Sequence, residues 1–559
     1  MKKVVIIGGM AAGCKTATRL KRLKPDFEVT IIEKKPFVSF GTCGMPFYAS
    51  GDVEDFMSLA TTPWDMVRDE EFFKNVKDVN VLTNYEVIKL EHSKKCAVIK
   101  NLKTEAESVL EYDYLVFATG AKPVEPPFPC PKSEKILDFH NPLNAKKFKE
   151  QAQTGKIGKV IIIGGGFIGV ELAEAMVSLW GIETHLIEMT KCLLPQSLDM
   201  EMSELLVKTL QNEDINVYLN TSVNAIKLDD GDNPVVALNN GEEIECDMVF
   251  TCIGVSPNTA LAESIGVLKG NLGGIKVDGQ MKTNVPDVWA AGDCINIWDL
   301  ITGGEAFFPL GSLANRQGKA VAESIAGLKT EFMGAVGTSS VKVFGFTVAS
   351  AGLNESTTKK KNIEYSCIWG TFYDRPDYMP ESKILFSKLI YEKSTFRLLG
   401  LQLAGRGEVS RYIDVFSVLS SKHCTVNDLI DFEHAYTPTH SNPMNPLNFL
   451  GAMAVSQEID GIICVNPKEI DTFTGQILDV REQSEIQSEK CHGNVIETSI
   501  ADYRNIVKGL KKDIPVLVVC QKGPRAYEAA RYCVSIGFKD VKYLGGGMQL
   551  ARQMLDRTD

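Results

Sequence analysis

The stretch "KVIIIGGGFIGVELAEAMVSLWGIETHLIEM", Lys159 to Met189, decides the fold that we expect. It reads as a continuous β-branched strand, a glycine turn, a helix and a second strand, which together form one βαβ unit. The segment from Lys3 to Lys34 repeats this order in "KVVIIGG", "MAAGCKTATRLKRLK" and "FEVTIIEK". Two copies of the unit predict two nucleotide-binding α/β folds in one chain.

Both glycine turns lie between a strand and a helix, where backbone N–H groups can bind a pyrophosphate. The turn Gly164–Gly169 is a complete GxGxxG motif, whereas Met10 replaces the middle glycine of the turn Gly8–Gly13. Glu33 and Glu188 end the second strands, where a carboxylate can accept hydrogen bonds from ribose hydroxyls. Because Glu188 would repel a 2′-phosphate, we expect NADH rather than NADPH in the second unit. The alternative is a pair of purely structural turns.

The composition is typical of a soluble protein with several domains. The chain has 559 residues, of which 44% are hydrophobic and 23% are charged. The net charge of -11 argues against binding to nucleic acid or to an anionic membrane, and no apolar run predicts a membrane-spanning helix. Fourteen cysteines occur without a paired CxxC pattern or a secretion signal. We therefore expect reduced thiols, no metal site and a cytoplasmic location.

The remaining chain contains further strand patterns. The stretches "YDYLVFATGAKP", "CDMVFTCIGVSPNT" and "TNVPDVWAAGDC" each read as a strand that ends in a small-residue turn. From about Phe332 to Leu450, "SVKVFGFTVASAGL", "SKILFSKLIYE" and "FRLLGLQLAG" suggest antiparallel strands, and "EVSRYIDVFSVLSSKH" suggests a helix. From about Gly461 onward, "GQILDVRE", "PVLVVCQKGPRAYEAARYCVSIGF" and "VKYLGGG" predict a small α/β domain.

The two βαβ units, the "ATG" turn at Ala118–Gly120 and "AAGD" at Ala290–Asp293 occur in an order typical of one superfamily. From Met1 to Leu450 the chain resembles the two-dinucleotide flavoprotein disulfide reductases. The resemblance implies that the first unit holds FAD, with Asp293 at the ribityl chain, and that the second unit holds the nicotinamide cofactor. It implies cofactor contacts at Gly8, Gly9, Ala11, Ala12, Gly13, Glu33, Lys34, Val87, Ala118, Thr119, Gly120, Gly164, Gly166, Phe167, Ile168, Gly169, Glu188, Gly254, Asp293, Leu310 and Ala314.

The resemblance also predicts the domain organisation. Two Rossmann-like domains of the α/β class would bind FAD and NAD, and an α+β dimerisation domain would precede a C-terminal α/β domain. The expected boundaries are 1–150 and 271–330 for the FAD domain, 151–270 for the NAD domain, 331–450 for the dimerisation domain, 451–460 for a linker and 461–559 for the last domain.

Cys43 lies in "SFGTCGMPFY", Ser39 to Tyr48, and is the expected redox centre. Members similar to glutathione reductase have a CxxxxC pair here, but Tyr48 occupies the second position. A lone cysteine must act through a mixed disulfide, a persulfide or a sulfenate. The stretch resembles the "SFxxCGxP" signature of coenzyme A disulfide reductases and their persulfide-reductase relatives. A flavin and a helix N-terminus would favour the thiolate. The alternative is a buried structural cysteine.

Two rival functions share parts of this pattern. Single-cysteine NADH oxidases and peroxidases carry a similar signature, but they have a histidine in the first glycine loop, where this chain has Ala11. A non-enzymatic rival is a redox sensor or sulfur carrier whose flavin turns over poorly. Oxygen consumption without a sulfur substrate would identify the first rival, and steady-state turnover would separate the second.

The resemblance implies coenzyme A as a bound group or a substrate. Lys15, Arg19 and Arg22 are spaced i, i+4 and i+7 on the first helix, which aligns three cations for phosphates. The alternative is a solvated basic face. The resemblance also places Ser39, Thr42 and Arg316 at the substrate. Two positions depart from the family pattern: Thr42 replaces an asparagine and Met444 replaces a lysine.

Two tyrosines are implied by the same resemblance. Tyr436 in "AYTPTH" matches a tyrosine that reaches the partner subunit's cysteine and donates a proton to a leaving thiolate. Tyr378 in "DYMP" resembles the first tyrosine of "YYP", and Met379 replaces the second. The alternative for both is a packed interface aromatic. We therefore expect an obligate homodimer that forms through residues near Phe332–Leu450.

The sequence Cys520-Gln-Lys-Gly-Pro-Arg525 follows a strand and precedes a helix, so backbone N–H groups can surround the sulfur. With "LDVRE" before it and "YLGGG" after it, residues 461–559 resemble a rhodanese domain, with Cys520 and Arg525 as catalytic residues. An inactive rhodanese is the alternative. The whole chain thus resembles fusions of coenzyme A disulfide reductase with rhodanese. The resemblance implies NADH-dependent reduction of a persulfide, a polysulfide or a coenzyme A disulfide, and it leaves the choice of substrate and the direction of sulfur flow open.

Overall fold

The computed structural model describes residues 1–555. Its helices are α1 (Ala11–Leu23), α2 (Met45–Ser50), α3 (Glu70–Lys77), α4 (Pro142–Ala152), α5 (Phe167–Ser178), α6 (Met200–Gln211), α7 (Ala260–Glu263), α8 (Gly311–Ile325), α9 (Glu355–Lys360), α10 (Ser410–Ser420), α11 (Val426–Asp431), α12 (Pro446–Asp460), α13 (Gln483–Ser488), α14 (Tyr503–Ile506), α15 (Pro524–Ser535) and α16 (Gly547–Met554). None of these helices is both long and apolar enough to cross a membrane.

The strands occur both between these helices and in consecutive runs. They are β1 (Lys3–Ile7), β2 (Glu28–Glu33), β3 (Asn80–Thr83), β4 (Tyr85–Glu91), β5 (Cys96–Asn101), β6 (Glu107–Glu111), β7 (Tyr114–Phe117), β8 (Ala121–Pro123), β9 (Ile136–Asp138), β10 (Lys159–Ile163), β11 (Glu183–Ile187), β12 (Asn216–Tyr218), β13 (Val223–Leu228), β14 (Pro234–Leu238), β15 (Glu243–Glu245), β16 (Met248–Thr251), β17 (Val255–Pro257), β18 (Val288–Ala290), β19 (Ile297–Asp299), β20 (Gly304–Ala306), β21 (Ser339–Val343), β22 (Phe346–Gly352), β23 (Tyr365–Tyr373), β24 (Ile384–Glu392), β25 (Leu398–Gly405), β26 (Ile463–Val465), β27 (Gln476–Asp479), β28 (Asn494–Glu497), β29 (Val516–Val519) and β30 (Val541–Leu544).

The described chain divides into two compact units. The first consists of residues 1–189 and 214–335, and the second consists of residues 190–213 together with the described residues from 336 onward. Helix α6 therefore groups with the second unit, although its sequence lies inside the predicted NAD domain.

The first compact unit contains the two parallel sheets that the repeated βαβ pattern predicts. Their strand orders are β18-β7-β1-β2-β3 and β12-β11-β10-β16-β9, and every pairing in them is parallel. The first position of each glycine turn can only be glycine, because the backbone has a positive φ there and there is no room for a Cβ atom. Gly8 has a φ of 109°, and a Cβ there would lie 2.0 Å from the carbonyl oxygen of Ala118. Gly164 has a φ of 110° and meets the carbonyl of Cys252 in the same way. Each turn therefore passes directly beside the neighbouring strand end.

The second compact unit contains an antiparallel sheet in the order β21-β22-β25-β24-β23. Strands β21 and β22 form a two-residue hairpin, because Phe344 and Gly345 both have positive φ values, as a type I′ turn requires. The buried Lys388 of β24 lies 3.1 Å from both Asp199 and Glu201, which begin the α6 segment. This ion cluster attaches α6 to the antiparallel sheet.

The C-terminal part of the second unit is a parallel sheet in the order β26-β30-β29-β27-β28. Its apolar core includes Ile477, Leu517, Val519 and Leu544, which are fully buried. The sheet agrees with the small α/β domain that the sequence predicts. Residues 451–460, which we predicted as a linker, form the second part of α12.

Candidate active site

Cys43 lies in a 3-10 turn, Thr42–Gly44, that leads directly into α2. The turn is fixed by backbone hydrogen bonds, since Gly41 donates to the carbonyl of Leu59 at 2.7 Å. Cys43 is exposed, and all fourteen cysteines are free thiols. Tyr48 is buried and packs edge-on against Phe56, so its ring fills the place of a second cysteine. The structure therefore presents a lone, accessible thiol.

The protein's own groups oppose ionisation of this thiol. Desolvation, followed by the carboxylates of Glu171 and Asp293, raises the pKa of Cys43. A hydrogen bond from the backbone of Cys43 lowers the thiol pKa, but by less than these effects raise it. Stabilisation of the thiolate by a flavin and by the N-terminus of α2 remains a prediction. A cofactor or a bound substrate would have to supply further stabilisation of the thiolate.

Glu171 is a further candidate site residue, which the sequence motifs do not indicate. It lies on α5, which packs against α2, and it lines a cleft together with Pro46 and Phe47. Burial, followed by the charge of Glu174, raises the pKa of Glu171 to about 7. The available sequence signal was a pair of carboxylates, Glu171 and Glu174, on an otherwise apolar helix, "FIGVELAEAMV". Its pKa places it among candidate functional groups, because it changes charge near neutral pH.

The residues expected to hold FAD come together at one sheet edge. Gly8, Glu33, the turn Ala118–Gly120 and Asp293 all lie at or just after the carboxyl ends of strands in the first parallel sheet. Glu33 is buried, and its carboxylate accepts the N–H of Gly9 at 2.7 Å. Helix α1 begins with no acidic residue and no capping side chain, which leaves N–H groups for a pyrophosphate. This donor set fits a dinucleotide.

Asp293 provides a second test of the fit. Burial alone raises the pKa of its carboxyl group to about 6. The adjacent Gly292 N–H donates to Gln317 at 2.8 Å, which fixes the turn. Burial of a carboxylate costs free energy unless the carboxylate accepts hydrogen bonds. A ribityl chain has several hydroxyl groups that could donate them. The chemistry of Asp293 therefore agrees with FAD.

The residues expected to hold NADH follow the strand ends of the second parallel sheet. The N–H of Gly165 donates to Glu188 at 2.7 Å, which repeats the contact between Gly9 and Glu33. Helix α5 also begins without a capping side chain. The turn at Gly254 follows β16, a neighbour of β10 in this sheet. Ile168 on α5 is exposed, and Phe167 is half-buried.

The other residues expected to contact a cofactor belong to elements of the first compact unit, and their side chains differ in how far they are exposed. Leu310 is the N-cap residue of α8, and Ala314 is buried on that helix. Val87 is buried on β4, whereas Lys34 is exposed directly after β2. Each remains a predicted contact.

The three predicted cations of α1 are not equally available. Arg19 forms a 2.7 Å ion pair with Glu323 of α8, while its Nε atom is buried without a hydrogen-bond partner. Arg22 is exposed and Lys15 is half-buried. Arg316 is exposed and lies over the ring of Phe332. Among the described residues, no carboxylate forms an ion pair with Lys15 or Arg22, so both cations could bind a phosphate at this helix. The same phosphate would have to compete with Glu323 for Arg19.

The two predicted tyrosines are exposed side chains of the second compact unit. Tyr378 is 70% exposed and Tyr436 is 49% exposed. Their loops are joined, because Arg375 donates to the carbonyl of Thr439 at 3.0 Å. The exposed Met444 lies on the same loop as Tyr436. The structure brings both tyrosines to one region of the surface.

Cys520 directly follows β29 and is buried, and its Sγ atom accepts the N–H of Gly523 at 3.1 Å. Gly523 has a φ of 123°, which turns its N–H toward the sulfur. Arg525 forms a 2.8 Å ion pair with Glu485 on α13. The loop therefore has the backbone donor that the sequence predicts, and Arg525 holds the loop to a neighbouring helix. In residues 1–555, no cluster of three or more histidine, cysteine or acidic residues is arranged for a metal ion.

Comparison with known proteins identifies the family. Residues 2–306 match the pyridine nucleotide-disulphide oxidoreductase family, which is more than half of the chain. The chain belongs to this family. The dimerisation domain of pyridine nucleotide-disulphide oxidoreductases matches residues 338–447, and a rhodanese-like domain matches residues 467–552. The predicted fold class is confirmed.

Individual pyridine nucleotide-disulphide oxidoreductases are also similar to the chain. An NAD-dependent persulfide reductase from A. fulgidus is 36% identical with a TM-score of 0.93, covering 98% of this chain and 99% of that one. The reduced Bacillus anthracis CoADR-RHD is 32% identical with a TM-score of 0.92, covering 99% and 98%. An NADH oxidase from Enterococcus faecalis is 30% identical over 81% of this chain and 99% of its own.

Proposed function

We propose that this enzyme uses NADH and FAD to reduce the sulfur–sulfur bond of a persulfide, a polysulfide or a coenzyme A disulfide at Cys43. The observation that carries the proposal is the lone, exposed Cys43 in a fold with two dinucleotide sites, together with a second cysteine, Cys520, in a rhodanese-like domain. The similarity to proteins titled persulfide reductase and CoADR-RHD over nearly the whole chain supports this substrate class.

Cys43 acts as the nucleophile in the proposed reaction. Its thiolate attacks a substrate RSSR′, so that a Cys43–SR bond forms and R′S⁻ leaves. Two electrons from NADH then break the mixed disulfide, and with one proton they give RSH and the free Cys43 thiolate. Bound FAD would supply the transfer of electrons from the nicotinamide. For a persulfide, the balance is RSSH, NADH and H⁺ giving RSH, H₂S and NAD⁺.

Cys520 carries sulfane sulfur in the same proposal. Its thiolate attacks a donor RSS⁻, forms a Cys520 persulfide anion and releases RS⁻, with the charge conserved. The N–H of Gly523, which already contacts the sulfur, would stabilise the anion. The direction of sulfur flow between Cys520 and Cys43 stays open.

The active assembly is proposed to be a homodimer in the cytoplasm. The dimerisation domain supports the dimer, and in it Tyr436 is exposed and able to meet a second subunit. Coenzyme A is the proposed ligand of Lys15 and Arg22, with Arg19, Arg316, Ser39 and Thr42 as further contacts.

NADH oxidation is the second candidate, because one relative at 30% identity is named an NADH oxidase. Ala11 stands where oxidases and peroxidases similar to the family have a histidine, so this chain has no imidazole there to assist a sulfenate.

The test is NADH turnover against coenzyme A disulfide, coenzyme A persulfide, glutathione persulfide, polysulfide and oxygen. We expect sulfur substrates to exceed oxygen by at least about tenfold in kcat/KM. Cys43→Ser should keep its flavin absorbance and lose this turnover, because a hydroxyl cannot form the sulfur–sulfur intermediate. Cys96→Ser, at a half-buried cysteine of the same compact unit, is the matched control and should keep turnover. Oxygen consumption as the fastest reaction would overturn the proposal.

A further inference from the structure

The loop of Cys520 is held by the end of strand β23, which belongs to the antiparallel sheet of the same compact unit. Lys522 lies two residues after Cys520, and its Nζ atom donates to the hydroxyl of Tyr373 at 2.6 Å. The same nitrogen lies 4.0 Å from the centre of the Tyr373 ring. A lysine on a loop normally keeps its ammonium in water, because the side chain is flexible and strongly hydrated. Here one phenol binds that ammonium through both its hydroxyl and its ring.

The loop of Cys520 also contacts the first turn of α16, where a glycine turn leads into the helix. Met548 donates to the carbonyl of Cys520, and Gln549 donates to the carbonyl of Gln521, both at 3.0 Å. Gly547 approaches so closely that a Cβ would lie 2.6 Å from the backbone of Gln521. Strand β23 holds this turn as well.

The contact of strand β23 with the turn comes from Thr371, two residues before Tyr373 and on the same face of the strand. Its hydroxyl donates to the carbonyl of Gly546 at 2.7 Å. Tyr373 therefore contacts the cysteine loop at Lys522, and Thr371 contacts the adjoining glycine turn at Gly546.

Tyr373 is itself fixed from a third direction. Its carbonyl oxygen accepts a hydrogen bond from the side chain of Asn442 at 2.8 Å. The carbonyl of Asn442 accepts in turn from His434 at 3.0 Å. The backbone of Tyr373 is thus tied to an adjacent loop, and its phenol provides a firm attachment point.

We propose that Tyr373 is a positioning residue for sulfur transfer, which acts by binding Lys522 and thereby holding the Cys520 loop with the Gly523 N–H on the sulfur. The proposal rests on the proposed role of Cys520. The fixed ammonium of Lys522 also favours an anionic sulfane-sulfur donor. Thiosulfate serves as the probe: the Cys520 thiolate takes its outer sulfur and releases sulfite, and cyanide then removes that sulfur as thiocyanate.

The experiment compares Tyr373→Phe, Lys522→Met and the double variant in the full-length holoenzyme. Tyr373→Phe keeps the ring and the carbonyl and removes only the hydroxyl. We expect kcat for thiocyanate formation to fall about fivefold to tenfold in each single variant, with a smaller change in the KM for thiosulfate after Tyr373→Phe. The double variant should lose no more than Lys522→Met alone, because the two residues act as one pair. Lys522→Arg, which keeps a donor for the hydroxyl, should recover most of the rate.

Tyr365→Phe is the matched control, because it makes the same chemical change on the same strand. The Tyr365 hydroxyl donates to Glu355, away from the cysteine loop, so sulfur transfer should stay within about twofold of the wild type. Hydrogen–deuterium exchange of the peptide that contains Gly523 gives a readout that needs no substrate. Exchange should accelerate in Tyr373→Phe and not in Tyr365→Phe.

Full sulfur transfer and unchanged exchange in Tyr373→Phe would overturn the inference, as would additive losses in the double variant. If the wild-type protein forms no thiocyanate at all, the proposed role of Cys520 fails. The exchange measurement and the reactivity of Cys520 toward iodoacetamide then still decide whether Tyr373 holds the loop.

Discussion

Replacing Glu171 with glutamine tests how the protein controls the reactivity of Cys43. The ionised Glu171 carboxylate is one of the groups that raise the pKa of the Cys43 thiol. Glutamine has nearly the same shape and no charge. The variant should therefore contain more Cys43 thiolate than the wild type at any pH at which Glu171 is ionised.

The pKa of about 7 for Glu171 fixes the pH dependence of the effect. At pH 6 about one tenth of the Glu171 carboxyls are ionised, and at pH 8 about nine tenths are. The ratio of the variant's alkylation rate to the wild-type rate should be close to one at pH 6 and should rise as Glu171 ionises, with a midpoint about half a pH unit to one pH unit above the pKa of Glu171. The expected plateau of this ratio is about threefold to tenfold, which corresponds to ~0.7 to 1.4 kcal/mol.

The assay is alkylation of the purified enzyme by iodoacetamide from pH 6 to pH 9, with the Cys43 peptide quantified by mass spectrometry. Glu125→Gln, at an exposed carboxylate, is the control for the loss of one negative charge and should leave the ratio near one. A ratio that is flat across this range, or slower alkylation in Glu171→Gln, would refute the assigned electrostatic role.

Three further predictions concern cofactor choice, stability and assembly. Wild-type kcat/KM should favour NADH over NADPH. Glu188→Ala should reduce that preference by about tenfold, because it removes the charge that repels the 2′-phosphate; steady-state kinetics with both cofactors will measure the change. Lys388→Met should destabilise the second compact unit by about 3–5 kcal/mol, because Asp199 and Glu201 lose their buried counter-charge; an unchanged melting temperature would contradict this. Sedimentation should give twice the chain mass at working concentrations, and a fully active monomer would exclude the proposed contribution of Tyr436 from a partner subunit.

The sequence predicts the parallel sheets well, because a long run of β-branched residues that ends in a glycine turn is compatible with few structures other than a buried parallel strand. It misses β23, "YSCIWGTFY", whose core-facing and half-buried residues do not alternate clearly. It also misses the three-stranded antiparallel sheet β4-β5-β6, where charged residues interrupt the pattern on exposed strands. The grouping of α6 with the second compact unit depends on the ion cluster at Lys388, which joins residues almost two hundred positions apart.

The candidate site is predicted in its residue types and less well in its electrostatics. Cys43 and Cys520 stand out in the sequence because of the unusual residues around them. The basic row on α1 is visible too, but the ion pair of Arg19 with Glu323 is not, since it needs the packing of α1 against α8. The raised pKa of Glu171 likewise depends on burial, which no local sequence pattern expresses.

The placement of Cys43 and Cys520, the two cysteines that we propose to be reactive, in different compact units has a consequence for their chemistry. The groups that raise the pKa of Cys43, Glu171 and Asp293, belong to the first unit. The groups that hold the Cys520 loop, which include Tyr373 and Gly547, belong to the second compact unit. A substitution at either cysteine therefore leaves the supporting contacts of the other intact, so the two activities should be lost separately. A substrate that needs both cysteines would have to carry its sulfur from one site to the other, and its turnover alone would be sensitive to both substitutions.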